Sequence, residues 1–326
     1  MLQATSFVMS LFTAIFAFAA TPTETLKQET FYLYGQKFTV HRPASSVGKA
    51  DEIPLLVLFH GCKMNSADIL EVTELKKLAA IKNFALLTPD QSNSFNYDNC
   101  WNWFSPSNQE ITSFSELSII KGGIDWMVSR YPINLEKIFL AGFSAGAAIS
   151  TNLFYCYPES FAGLAAHSGV AFKAADNVTQ ANNALTQGSK KTDKQLSKDA
   201  FACAKPNAAQ LNAKKMILFH GSKDKRVVGK NALQANKQFV GFWDLADDGK
   251  WNHSVPVVVN DSHVDNADFP TAIVRTTVGS YGWVELIQIT NLDHRWSGGN
   301  LKNPYGQPES LDASEYLTKK FFPGKK

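Results

Sequence analysis

Short, unbroken apolar runs punctuate the chain, and most lead through a polar turn into a segment with helical spacing. Leu55 to Phe59 is one such run and stops at His60-Gly61; Phe84 to Leu87 is another, closed by Pro89. Lys137 to Ala141, Phe161 to Ala166, Met216 to Phe219, Ile273 to Val278 and Trp283 to Ile289 complete the predicted strands. Between them, Ala67 to Ile81 carries Ile69, Val72, Leu75 and Leu78 on one helical face. Ser115 to Tyr131 repeats Leu117, Ile120, Ile124 and Met127 at the same spacing. Strands that are apolar without alternation are buried on both faces. They predict an α/β fold, a mostly parallel sheet with helices on both sides. Ligands in such sheets sit outside the carboxyl ends of the strands.

One stretch interrupts this rhythm. Lys173 to Lys215 is polar and rich in Ala, Asn, Gln and Lys, and reads as a cap-like insertion (173–215) outside the core. No repeat or linker composition appears, so residues 21–326 are expected to form a single catalytic domain. Residues 1–20 read as a signal peptide: Phe7 to Ala19 is almost wholly apolar and ends in Ala17-Phe18-Ala19 before Ala20. That run is shorter than the roughly 20 residues of a spanning helix, although no Lys or Arg precedes it. A secreted or periplasmic protein, free of the membrane once the signal is removed, is the expectation.

Export makes disulfides permissible, and the four cysteines allow three pairings. Their places along the chain favour Cys62–Cys100 and Cys156–Cys203. The composition, 44% hydrophobic and 19% charged, excludes wholesale disorder. A net charge of +3 without a basic stripe gives no reason to expect nucleic acid as a partner. No His/Cys cluster has metal-ligand spacing, so neither metal nor organic cofactor is expected. Asn177-Val178-Thr179 and Asn252-His253-Ser254 fit the glycosylation pattern.

The chemistry concentrates at Lys137-Ile138-Phe139-Leu140-Ala141-Gly142-Phe143-Ser144-Ala145-Gly146, an apolar strand entering Gly-x-Ser-x-Gly and then a small-residue helix. This is the layout of a nucleophile elbow, in which the glycines remove side chains that would collide around an exposed serine. A serine nucleophile needs a base, and the base needs a third group to hold its tautomer; in this arrangement the chain order is Ser, acid, His. Asp224 lies in the loop after Met216-Ile217-Leu218-Phe219 and is the expected acid, whereas Asp244, Asp247 and Asp248 read as solvated. His294, on a glycine-flanked loop after the last strand, is the expected base, and the adjacent Asp293 is a decoy. The backbone amides of Cys62 and Ala145 are the expected oxyanion donors. His60, Trp101, Trp103, His167 and Trp296 are candidate walls of the substrate pocket.

These features resemble one family, the secreted polyhydroxybutyrate depolymerases and their relatives among feruloyl and acetyl-xylan esterases. The likeness is carried by Leu58-Phe59-His60-Gly61-Cys62, Thr88-Pro89-Asp90-Gln91, Cys100-Trp101-Asn102-Trp103-Phe104, Gly142-Phe143-Ser144-Ala145-Gly146, Tyr157-Pro158, His167-Ser168-Gly169, His220-Gly221-Ser222-Lys223-Asp224 and His294-Arg295-Trp296-Ser297-Gly298-Gly299. It implies an α/β-hydrolase, a triad of Ser144, Asp224 and His294, and the Cys62–Cys100 bridge. Ala147 and Ser222-Lys223 depart from the family pattern. Polymer-degrading members often append a linker and a surface-binding module; their absence favours soluble oligomers, amorphous polymer or aryl esters. The resulting expectation is a serine carboxylesterase acting on hydroxyalkanoate-type polyesters or oligomers, with a feruloyl or acetyl-xylan esterase as the alternative. A peptidase on the same fold and a catalytically silent binding protein are the remaining readings.

Overall fold

The computed structural model describes residues 25–44, 52–205, 208–211, 213–266, 269–300, 302–308 and 310–323; the expected signal peptide lies outside them. Ten strands form one sheet: β1 (Leu26–Leu33), β2 (Gln36–Pro43), β3 (Ile53–Phe59), β4 (Ala85–Asp90), β5 (Ile133–Phe143), β6 (Gly163–His167), β7 (Lys214–Gly221), β8 (Val257–Asn266), β9 (Phe269–Gly279) and β10 (Gly282–Ile289). Their spatial order is β1-β2-β4-β3-β5-β6-β7-β10-β9-β8. The central strands from β4 to β10 run parallel, while β1, β2, β8 and β9 pair antiparallel at the two edges.

The unbroken apolar runs have a direct physical cause. Leu55, Val57 and Phe59 of β3 pack into one layer while Leu56 and Leu58 pack into the other, and all five are fully buried. The first layer is covered by α3 (Glu116–Arg130), α4 (Ala145–Cys156), α6 (Asp193–Ala204) and α7 (Lys230–Asp248). The second is covered by α1 (Ser66–Thr73), α2 (Leu75–Lys82) and α8 (Ala313–Phe321). With β3, β5, β6, β7 and β10 parallel and adjacent, the loops after them emerge on one rim.

Three expectations are corrected. The helix predicted over Ala67 to Ile81 is two helices, broken at Glu74, whose backbone is left-handed at φ 52°. Strand β4 continues through Pro89 to Asp90, because Pro89 pairs with Phe38 of the adjacent antiparallel strand. The segment 173–215 is no detached polar excursion. It supplies α5 (Val178–Gln187) and α6, buries Ala181, Ala184, Leu196, Ala200 and Leu211 in the core, and ends inside β7 at Lys214 and Lys215. Alanines serve there because helices stacked on α4 and α7 meet at close range, so few large apolar residues were visible in the sequence.

Both cysteine pairs are joined, Cys62 to Cys100 and Cys156 to Cys203. The second bridge fixes α6 to the end of α4.

Candidate active site

The sharp turn between β5 and α4 puts Ser144 in a strained conformation, φ 56° and ψ −119°, which few residues other than glycine adopt. Its N–H donates to the carbonyl oxygen of His167 at 2.9 Å, and its own carbonyl receives the Ala148 N–H at 3.1 Å. The flanking glycines are obligatory by contact. A Cβ on Gly142 would lie 2.4 Å from the Gly146 backbone, and one on Gly146 would lie 2.4 Å from the carbonyl oxygens of Phe59 and His60. Nucleophile turn and the loop after β3 therefore touch backbone to backbone.

Three residues from three rim loops meet in one hydrogen-bonded chain. His294 Nε2 lies 2.9 Å from Ser144 Oγ, and His294 Nδ1 lies 2.8 Å from Asp224 Oδ2. An ionised carboxylate only accepts, so Nδ1 carries the proton and Nε2 is the lone pair facing the serine hydroxyl. The other carboxylate oxygen, Oδ1, accepts the N–H groups of Arg226 and Val227 at 3.0 and 2.9 Å. Burial pushes the Asp224 carboxyl up, but the hydrogen bond and charge of His294 and the Val227 N–H outweigh it and hold its pKa below the usual range. The acid is thus ionised and oriented. The decoy Asp293 pairs with Arg295 at 3.1 Å instead.

Ala145 is the first residue of α4, where helix N–H groups lack internal partners. Cys62 follows the early strand, and the disulfide to Cys100 holds it beside the loop that also receives the Lys63 N–H at Asp98 O, 2.7 Å away. Among the described residues neither the Cys62 nor the Ala145 amide donates a hydrogen bond. Both remain available for a developing negative charge.

The five candidate pocket walls do a different job from the one expected. His60, Trp101, His167 and Trp296 are fully buried and Trp103 is 4% exposed, so none offers an open face to a substrate. They tie loops together. Trp101 Nε1 donates to His60 O at 2.9 Å; His60 Nδ1 donates to Gly61 O at 2.7 Å while Nε2 accepts the Gln91 N–H at 2.9 Å. His167 Nε2 accepts the Ser297 N–H at 3.0 Å, and its ring stacks between Trp296 and Phe219. Trp296 Nε1 donates to Ser314 Oγ at 3.1 Å. Burial, with the nearby charges of His220 and His294, lowers the pKa of His167 to about 3, so it stays neutral. Asp244, expected in solvent, is buried and receives the Asn252 N–H at 3.0 Å.

Sequence reasoning missed Glu116. Its carboxylate sits inside a cage of donors from Gln91, Asn102 and Asn108. Following the helix cap Ser115, it reads in sequence as an ordinary acidic residue of a first helical turn, and nothing in the pattern marked its side chain as enclosed by amide donors.

The family model described as "Esterase PHB depolymerase" matches residues 39–273. The chain belongs to that family. Similar curated proteins include poly(3-hydroxyalkanoate) depolymerase C of Paucimonas lemoignei, 29% identical over 253 residues covering 76% of this chain and 56% of the relative. The probable acetylxylan esterase A of Neosartorya fischeri is 22% identical over 260 residues, covering 78% of this chain and 64% of that protein. Each relative is matched over less than two thirds of its own length. Among solved structures, an acetyl xylan esterase from Aspergillus awamori superposes with a TM-score of 0.68 at 18% identity, covering 91% of this chain and 98% of that one. The α/β-hydrolase fold is shared with it.

Proposed function

We propose that this member of the family is an exported serine carboxylesterase acting through an acyl-enzyme on hydroxyalkanoate-type polyesters or their oligomers. The observation that carries the reading is the unbroken relay from Asp224 through His294 to Ser144 at 2.8 and 2.9 Å. Ser144 Oγ attacks the ester carbonyl carbon as His294 Nε2 takes its proton. Asp224 stabilises the imidazolium, and the amides of Cys62 and Ala145 receive the oxyanion. The imidazolium then protonates the departing alkoxide. Water, deprotonated by the same nitrogen, hydrolyses the acyl-enzyme and frees the acid.

Substrate class rests on the relatives. The depolymerase shares more sequence identity with this chain than the acetylxylan esterase does, and a hydroxyalkanoate ester is the reading adopted. Two disulfides accord with an oxidising compartment outside the cytoplasm. The test is twofold. A fluorophosphonate probe should label the purified protein stoichiometrically at Ser144, and hydroxybutyrate oligomers should be hydrolysed with higher kcat/KM than methyl ferulate or acetylated xylan. Absence of labelling overturns the esterase. Labelling with a preference for acetylated xylan keeps the chemistry and moves the substrate.

A further inference from the structure

We propose that Glu116 is a positioning residue for the oxyanion loop, a role that rests on the esterase reading and on the Cys62 amide as donor. The carboxylate lies at the start of α3, away from the reacting atoms, yet four donors converge on it. Oε2 accepts the Asn102 N–H at 2.9 Å and Asn108 Nδ2 at 3.0 Å. Oε1 accepts Asn102 Nδ2 at 3.4 Å and Gln91 Nε2 in a short contact. Among the described residues no Lys or Arg forms an ion pair with it. A half-buried carboxylate held only by neutral amides is costly to keep, and desolvation raises its pKa to about 7 despite those hydrogen bonds.

Two of the three donor residues, Gln91 and Asn102, lead to one loop. Gln91 also donates Nε2 to Cys100 O at 3.1 Å, and its N–H reaches His60 Nε2 at 2.9 Å. Asn102 directly follows Trp101, whose indole N–H holds His60 O at 2.9 Å. Cys100 is bonded covalently to Cys62. The routes through Gln91 and Asn102 therefore end on His60-Gly61-Cys62, the loop carrying one oxyanion donor, while Asn108 ties the cage to Leu117 of α3 and Asn152 of α4. That loop itself presses against Gly146 of the nucleophile helix. A glutamine in this cage would aim an NH2 at donors that now meet an oxygen. Either the Gln91 side chain or the Asn102 and Asn108 groups would lose their acceptor and turn away.

The catalytic consequence is specific. Removing one oxyanion donor outright reduces kcat by about 100- to 1,000-fold, so a displaced donor should lose a part of that. Ground-state binding of the ester does not use the oxyanion geometry and should be spared.

The experiment compares wild type and Glu116→Gln on p-nitrophenyl acetate at 25 °C, with thermal melts to establish that both are folded. The expected result is a fall in kcat of roughly 10- to 100-fold with KM changed less than about twofold. An active wild type with Glu116→Gln at parental kcat overturns the proposal alone. A rise in KM with unchanged kcat overturns it as well. Should Glu116→Gln not fold, Asn102→Ala, which removes one donor and leaves the carboxylate, is read by the same criteria. If the wild type neither hydrolyses esters nor takes up the fluorophosphonate, the esterase reading fails and carries this proposal with it.

Discussion

His167 clamps two of the loops that form the relay: its carbonyl oxygen receives the Ser144 N–H at 2.9 Å, and its ring nitrogen receives the Ser297 N–H at 3.0 Å. One buried residue, through its backbone and its ring, thereby ties the nucleophile turn to the loop that carries His294. The substitution His167→Phe would keep the stack against Trp296 and Phe219 but leave the Ser297 N–H buried without an acceptor. A destabilisation of about 1–3 kcal/mol is expected, together with reduced kcat from a looser base. Denaturant melts and steady-state kinetics on one ester substrate check both.

Ser144→Ala should lower ester hydrolysis by at least roughly 10,000-fold, with the melting temperature close to that of the parent. Asp224→Asn should lower kcat by a similar order, since an amide facing Nδ1 favours the tautomer with its proton on Nε2, pointed at Ser144. Near-parental rates in either variant would remove the proposed mechanism.

The two disulfides should separate by function. Replacing Cys62 and Cys100 by serine is expected to lower kcat as well as stability, because Cys62 carries one of the proposed oxyanion amides. Replacing Cys156 and Cys203 should cost stability, typically about 2–4 kcal/mol, with kcat retained in the folded protein. Kinetics below the melting transition of each double variant distinguish the two.

Acid should weaken the fold through two histidines. Burial, assisted by Lys76, lowers the pKa of His41 to about 4, and both of its ring nitrogens lack partners. His167 falls to about 3. The unfolded chain protonates these rings near pH 6.5 while the folded one does not, so unfolding takes up protons below that pH. Stability is full above about pH 6.5 and declines as pH falls towards 4. His41→Leu should reduce that slope, by at most about 1.4 kcal/mol per pH unit. Chemical denaturation at pH 8, 6 and 5 tests the sign: equal pH dependence in the variant would show that His41 does not titrate this way.

Much of this arrangement was legible in the residues themselves. Buried central strands announce themselves as unbroken apolar runs, and Gly142, Ser144 and Gly146 encode a turn that only one geometry satisfies. The edges were hidden because they lie open to solvent: β1 mixes exposed and half-buried positions with none buried, and residues 257–263 of β8 are all exposed. The tightening roles of His60, Trp101 and Glu116 were hidden for another reason. A polar or aromatic residue beside a motif looks the same in sequence whether it greets a ligand or braces a loop, and only its burial and its partners separate the two.

Ser144 and His294 stand 150 positions apart, and the segment bearing the imidazole is anchored by β10, which hydrogen-bonds β7 along its full length. Such distant pairing is slow to form, because the intervening polypeptide must first be gathered in. A nascent chain that has not yet reached β10 has Ser144 but not the histidine proposed to deprotonate it. On the proposed mechanism, reactivity therefore waits for β10 to settle against β7, and the chemistry is coupled to closure of the sheet.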